Sequence, residues 1–332
     1  MNTFGRIFKI SIFGESHGKS VGVVIDAPIA GLEISEDDFM ADLARRKSGS
    51  VGTTPRKEAD LPHIISGEFN GHATGAPLTV VFNNENTISK DYKNLVEHPR
   101  PGHSDFVAFK KFDGFNDYRG GGHFSARVTL GVVAAGVVAK KVLASQGITI
   151  SANLIEMGGE KDHSKHEQML KEAMKQRDSL GGIVECTTTS LPIGLGEPFF
   201  DSVESLLSHA IFSIPGVRAI EFGEGFESAR KSGSQHNDMI MSMSGETQSN
   251  NAGGVNGGIS NGNPIIFRVA FKPTSSIARS QMTLNTSSQN IEELCIKGRH
   301  DACIALRAPV IVEAMCAIVL CDFLFSSKKF NF

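Results

Sequence analysis

Ser125-Ala-Arg-Val-Thr-Leu-Gly-Val-Val-Ala-Ala-Gly-Val-Val-Ala-Lys-Lys-Val-Leu-Ala-Ser-Gln-Gly147 is the stretch on which the fold turns. It reads as a helix, and its apolar residues Val128, Leu130, Val132, Val133, Val137, Val138, Val142 and Leu143 fall on nearly every side. A surface helix shows one apolar stripe, whereas a helix apolar all round has to be enclosed by other elements. A second apolar helix is expected at residues 310–325, an amphipathic one at 203–212 and a polar one at 165–177. Strands are expected at residues 21–25, 63–65, 78–82, 184–189, 219–222 and 265–271. Strands and helices do not alternate strictly, so a parallel βαβ sheet is not favoured. The pattern predicts an α+β layered fold with a helical core.

Working outward, Ser35 is suited to N-cap a helix whose first turn holds Glu36, Asp37 and Asp38 and whose last holds Arg45, Arg46 and Lys47. The three cations suit a helix C-terminus as well as an anion site. No Pro-rich or charged linker and no repeat divides the chain, so residues 1–332 are expected to form one domain. Residues 228–263 are rich in Ser, Asn and Gly and are expected to form a long loop at the active site.

The 33 basic and 36 acidic side chains give a net charge of −3, without the basic excess of a nucleic-acid binder. Cys186, Cys295, Cys303, Cys316 and Cys321 form no CxxC pair and lie mostly in apolar stretches, which reads as buried thiols in a reducing compartment. The longest apolar run, residues 130–139, falls short of the ~20 residues of a membrane helix, and the N-terminus lacks an apolar signal core. The expectation is a soluble, cytoplasmic protein without a membrane partner.

Four histidines stand in polar, Gly-flanked clusters: His17 in Gly14-Glu-Ser-His-Gly18, His103 in Arg100-Pro-Gly-His-Ser-Asp105, His123 in Arg119-Gly-Gly-Gly-His-Phe-Ser-Ala-Arg127, and His300 in Lys297-Gly-Arg-His-Asp-Ala-Cys303. His163, His166 and His236 read as surface residues. No HExxH, His-x-His or Cys/His spacing suggests a metal, so none is expected. Gly14 to Gly18 matches a nucleophile elbow only by letter. Arg45, Arg46, Lys47, Arg100, Arg119, Arg127, Lys272 and Arg299 lie in or beside Gly-rich clusters, and Lys272-Pro-Thr-Ser-Ser276 has the make-up of a phosphate-binding turn. Cations gathered near histidines point to acid/base chemistry on a polyanion.

Taken in order, these segments resemble the chorismate synthase family over essentially the whole chain. Phe4-Gly, Gly14-Glu-Ser-His-Gly18 and Val24-Ile-Asp26 resemble its first signature. Arg119-Gly-Gly-Gly with Ser125-Ala-Arg-x-Thr129 resembles the second, and Gly298-Arg-His-Asp-Ala-Cys303 with Glu313-Ala-Met315 the third. Between them, Arg56-Lys-Glu-Ala-Asp60, Ser89-Lys-Asp-Tyr92, Arg100-Pro-Gly-His103, Gly194-Leu-Gly-Glu-Pro198 and Asn251-Ala-Gly-Gly also read as in the family.

The resemblance implies a layered β-α-β sandwich with buried helices between antiparallel sheets, assembled as a homotetramer. It implies anti-1,4 elimination of phosphate from 5-enolpyruvylshikimate 3-phosphate to give chorismate, the seventh step of the shikimate pathway. Reduced FMN is the implied cofactor, with NADPH as a source of reducing equivalents in some members. Carried over by position, His17 would protonate the departing phosphate and His103 would face the flavin N1 side. Ser16 and Asp301 would form a proton relay near N5. His123, Phe124, Ser125, Pro215, Gly216, Gly257, Lys272, Pro273, Thr274, Ser275, Ser276 and Arg299 would hold FMN. Arg46, Lys47, Arg100 and Arg127, with Arg299, would hold the substrate's anionic groups.

The chain departs from the family at several of these places. His123-Phe124 and Val128 stand where the family has Arg-Ser and Glu, Lys47 and Val132 each replace an arginine, and residues 48–54 are about one position short. Each lost charged hydrogen bond is worth about 1.5–3 kcal/mol. They suggest weaker substrate binding or an anion site shifted to His123. The alternative reading is a flavin- or anion-binding relative with reduced or lost lyase activity.

Overall fold

The computed structural model describes residues 2–26, 29–49, 51–54, 58–85, 95–296 and 300–327. Within it the decisive stretch is helical. A 3₁₀ turn at Ala126–Val128, capped by the Ser125 side chain, leads into an α-helix at Thr129–Ser145. That helix is buried from Thr129 to Ala139 and again at Val142 and Leu143. A second helix, Pro309–Ser326, starts with proline at its first position, where no N–H partner is needed, and is buried from Val310 to Leu324. The two helices pack on each other.

Two antiparallel sheets cover them. The first has the order Thr3–Phe4, Lys9–Gly14, Ser20–Asp26, Leu78–Asn83, His63–Ser66, and packs on the Thr129 helix. The second has the order Val217–Phe222, Pro264–Phe271, Gly182–Ser190, Ile150–Met157, and packs on the Pro309 helix. This is the α+β arrangement of buried helices between antiparallel sheets. Alternation explains the inner faces: Pro264–Phe271 buries every second residue, including Ile265, Phe267, Val269 and Phe271. One continuous apolar core runs from Phe8 to Leu324.

Close approach is enforced by glycine. A Cβ on Gly131 would lie 2.7 Å from the Gly22 carbonyl oxygen, so the helix can rest against the middle of the first sheet only without a side chain there.

The core also holds charge. Glu313, 3% exposed, accepts from Arg45 at 2.6 and 2.7 Å, from Lys140 at 2.7 Å and from the Ala152 amide at 2.8 Å. Burial alone would raise this carboxyl, but the Arg45 hydrogen bond and the Lys140 charge outweigh it and hold it below the usual glutamate range. A lowered carboxyl contributes stability that is present above the unfolded pKa and lost as pH falls through the folded one. Glu313→Ala leaves both cations without their buried partner. It is expected to cost about 3 kcal/mol in urea unfolding at neutral pH, because Arg45 can still turn to solvent. The gap between variant and parent should narrow as pH drops below about 4.

The expected helices and strands appear, with ends that coincide or shift by one or two residues, except that the first core helix begins at Thr129 after the 3₁₀ turn. The helix after Ser35 divides into a 3₁₀ turn, Glu36–Phe39, and an α-helix, Met40–Arg46. Not anticipated were the strands Lys9–Gly14 and Ile150–Met157, the helix Asp105–Lys111 and the hairpin Gln281–Leu284/Ile291–Leu294. Three readings are corrected. Cys295 is exposed while the other four thiols are buried. His166 is buried, its Nε2 2.9 Å from the Glu160 carbonyl. The segments Ala126–Ser145 and Pro309–Ser326 are long and apolar enough to cross a bilayer, longer than the ten-residue run implied, but they lie between the sheets. Residues 228–263 carry structure of their own, including a short helix at Gly233–His236 and the hairpin Val255–Asn256/Ile259–Ser260. Asp238 ties that segment together through the amides of Asn251 and Ala252.

Candidate active site

A cavity of about 880 Å³ opens where loops from both sheets meet the starts of the two core helices. That is near the upper end of the ~300–1,000 Å³ usual for small-molecule sites. One part of its wall is shaped by the turn Gly120, Gly121 and Gly122, with φ of 60°, 82° and 55°, of which Gly120 lines the cavity. Three successive left-handed residues are open to glycine and costly to anything else. The Ser16 amide anchors this turn by donating to the Gly122 carbonyl at 3.0 Å.

The turn separates the two principal histidines. A Cβ on Gly120 would lie 2.5 Å from His17 Cδ2, 2.7 Å from its Nε2 and 2.8 Å from Ser16 Oγ. A Cβ on Gly121 would lie 3.5 Å from His103 Cε1. His17 and Ser16 are buried on one flank, and His103 stands on the other. Ser16, Gly120 and His103 line the cavity, with His17 directly behind Gly120.

His103 Nδ1 lies 2.6 Å from Asp105 Oδ1, and Arg100 grips the same carboxylate through Nε and Nη2, both at 2.7 Å. Burial lowers the His103 pKa, the Asp105 hydrogen bond opposes it, and the Arg100 charge adds to the lowering, so the neutral ring is favoured. Burial would raise Asp105, but its bonds from Arg100 and His103 drive it far below the usual range. Arg100 Nη1 also reaches Ser276 Oγ at 2.8 Å. The Lys272 ammonium meets the Gly102 carbonyl and lies 2.8 Å from Ser275 Oγ, so the 272–276 turn is tied to the His103 loop.

Elsewhere in the cavity lining, Asp60 sits between two arginines. Arg127 Nη1 donates to its Oδ1 at 2.8 Å and Arg46 Nη1 lies 3.6 Å from Oδ2. Arg46 also donates to Thr129 Oγ1 at 3.0 Å and to the Ala126 carbonyl at 2.9 Å. Burial and then the Arg307 charge pull the Arg46 guanidinium down to about 9, against Asp60, which leaves it protonated at neutral pH. Arg127 bonds Asn84 Oδ1 and the Asn83 carbonyl. Asp301 accepts from the Thr54 amide at 2.7 Å and from Arg307 Nη2 at 2.5 Å, while Arg307 Nε and Thr274 Oγ1 are buried without a partner among the described residues.

The structure thus brings Ser16, Arg46, Lys47, Arg100, His103, His123, Phe124, Ser125, Arg127, Pro215, Gly216, Asp301 and the whole of Lys272–Ser276 around one cavity. Gly257 is not among them; it lies exposed in the turn of the Val255–Asn256/Ile259–Ser260 hairpin, and no residue of 228–263 lines this cavity. Arg299, Arg56 and the Ser89-Lys-Asp-Tyr92 motif lie outside the described residues. His123 is not placed as a substitute anion site: Nδ1 lies 2.7 Å from the Gly14 carbonyl and Nε2 3.2 Å from Asn2 Oδ1. Asp60, Asp105 and Arg307 received no role from the sequence. Arg307 did carry a signal, as the single charge in Ala302-Cys-Ile-Ala-Leu-Arg-Ala-Pro-Val310, where an ion has to be held for a reason.

A deep cavity with a cationic lining and two histidines across a glycine turn has the make-up of an enzyme site for a small anionic substrate. Comparison with known proteins makes this particular. A sequence model described as chorismate synthase matches residues 8–325. A chorismate synthase from Chitinophaga pinensis is 58% identical over 331 residues, covering 100% of this chain and 98% of that protein. One from Korarchaeum cryptofilum is 42% identical, covering 98% of each. A crystal structure of chorismate synthase superposes with TM-score 0.75 at 27% identity, covering 97% of this chain and 93% of that one. The chain belongs to the chorismate synthase family.

Proposed function

We propose that this chain, acting as one catalytic domain, is a carbon–oxygen lyase that eliminates phosphate from 5-enolpyruvylshikimate 3-phosphate to give chorismate, with reduced FMN as cofactor. The observation that carries the reading is the placement of His17 and His103 against the adjacent glycines Gly120 and Gly121, beside the cation-lined cavity.

The cavity suits a flat cofactor with an anionic tail. Ile10, Ile12, Val128 and Ile214 supply apolar wall, Lys272 and Ser275 supply cation and hydroxyl, and the buried Thr274 Oγ1 and Arg307 Nε lack partners among the described residues. Phe124, Ser125, Pro215, Gly216 and the residues of the 272–276 turn would hold it. The chemistry that reduced FMN supplies there is transient electron density for the allylic system, with no net redox change.

The protein's own residues then have separable tasks. His17, buried beside Ser16, would give a proton to the departing phosphate. His103 would present Nε2 to the flavin side, and a neighbouring anion would draw a second proton onto that nitrogen despite the ring's burial, so that it donates. Ser16 with Asp301 would carry away the proton lost from substrate C6; Thr54 and Arg307 keep Asp301 in place. Arg46, Arg100 and Arg127 are each committed to Asp60 or Asp105, so they shape the positive field of the pocket. Direct contact with phosphate or carboxylate would fall first to Lys47, which lines the cavity. His17, His103, Ser16 and Asp301 are all retained here, which favours turnover over binding alone. A cytoplasmic homotetramer, with NADPH as the ultimate reductant, completes the reading.

Anaerobic incubation with reduced FMN and the phosphorylated substrate is expected to release phosphate and chorismate in equal amounts, and to do so only while the flavin stays reduced. Flavin binding without either product would end the lyase reading.

A further inference from the structure

We propose that Asp105 sets the tautomer of His103, holding the proton on Nδ1 so that the lone pair sits on Nε2, at the ring edge beside Gly121. The inference rests on the placement of His103 in the site described above, and it assigns a positioning role to a carboxylate that stands behind the cavity lining.

The geometry is over-determined. Asp105 Oδ2 receives the Arg100 amide at 3.1 Å and Arg100 Nε at 2.7 Å. Its Oδ1 receives Arg100 Nη2 at 2.7 Å and lies 2.6 Å from His103 Nδ1. Arg100 Nη2 also lies 3.1 Å from that same Nδ1. Without a proton, Nδ1 could accept from Arg100 Nη2 but would set its lone pair against the Asp105 carboxylate oxygen at 2.6 Å, a repulsive contact; with a proton it donates to that oxygen. At 2.6 Å the contact is attractive only with a proton between the two atoms. Asp105 begins the helix Asp105–Lys111, and Arg100 Nη1 donates to Ser276 Oγ at 2.8 Å, so the assembly is tied to the 272–276 turn.

Arg100 changes what this carboxylate does. An unpaired aspartate beside an imidazole stabilises the protonated ring. Here the guanidinium cancels much of that charge, and burial of His103 works in the same direction. The dyad therefore orients the ring without making it strongly basic. Arg100 acts as the counter-ion of this device, which accounts for a cavity arginine whose donors face protein oxygens.

Asp105→Asn is the informative change because it keeps the shape. Two Arg100 donors converge on Oδ2, so the amide oxygen settles there and its NH₂ takes the place of Oδ1. It then donates to Nδ1, and the His103 proton moves to Nε2. Long-range ¹H–¹⁵N spectra of the ligand-free full chain, labelled at histidine, read this directly. Wild type is expected to show Nδ1–H and Asp105→Asn to show Nε2–H, with thermal midpoints compared to confirm folding. Under anaerobic turnover, kcat of Asp105→Asn should fall about 100- to 1,000-fold with KM changed less than about threefold. Asp105→Glu, which keeps a carboxylate, should retain Nδ1–H and recover at least about tenfold in kcat. Nδ1–H persisting in Asp105→Asn overturns the proposal, as does an Asp105→Asn kcat within about threefold of wild type. Should wild type itself not turn over, the lyase reading fails, and the spectra still decide the tautomer.

Discussion

Gly120→Ala is expected to lower kcat at least about 100-fold while leaving the protein folded. The added methyl would sit 2.5 Å from His17 Cδ2 and 2.8 Å from Ser16 Oγ, closer than carbon contacts tolerate. His17 is 7% exposed and Ser16 1%, so neither can swing into solvent to make room. The ring must move by about 1 Å or the turn must open, and displacements of that size cost about 10²-fold when a proton donor has to meet a leaving group. The φ of 60° at this position adds about 1–2 kcal/mol of backbone strain for alanine. Thermal unfolding should therefore shift modestly while turnover collapses. Activity within about threefold of the parent would mean that His17 is not held by Gly120 in the working enzyme.

A large effect on stability is also expected at the crossing of the two core helices. A Cβ on Gly136 would lie 2.3 Å from Ala314 Cβ and 2.6 Å from Ala314 Cα. The obstacle is the backbone of the neighbouring helix, which cannot rotate away as a side chain can. Gly136→Ala must push Thr129–Ser145 away from Pro309–Ser326, loosening contacts along both helices. Overpacking of this kind costs about 1–3 kcal/mol, and the rigid partner puts this case at the upper end. The gain in helix propensity, about 1 kcal/mol for glycine to alanine, offsets only part of it. Urea unfolding of Gly136→Ala, Ala314→Gly and the double variant gives the coupling. Removing the opposing methyl should recover about 1 kcal/mol beyond additivity. Strict additivity would show that the helices do not meet at these two residues.

Much of the site was legible because its residues are clustered in sequence. The motifs around His17, His103, His123 and Asp301 each combine glycine with ionisable groups, and the fold carries these clusters to a common cavity. The pairing of charges was not legible. Arg46, Arg100 and Arg127 look alike as letters, each a cation beside glycine. Their partners Asp60 and Asp105 decide that these guanidiniums face protein carboxylates. The Gly/Ser/Asn-rich stretch 228–263 failed differently. Its composition permits close approach to a ligand, but Asp238 ties the segment to itself and its backbone bonds to Gly194, Leu195, Val203 and Glu224 commit it to neighbouring protein, away from the cavity lining.

The sequence by itself determined the layered α+β class. Helices apolar on every side exclude a surface position, and the alternating strands supply the faces that enclose them. It also determined the chemical character of the site, because left-handed glycine turns, histidines and cations are properties of local segments. Only the tertiary structure decided which groups face one another: His17 and His103 across Gly120 and Gly121, Asp105 on Nδ1 of His103, Glu313 between Arg45 and Lys140. Such pairings join residues up to 268 positions apart. Hydrogen bonds and charge coupling act over a few ångströms of space, and separation along a chain carries no record of that distance.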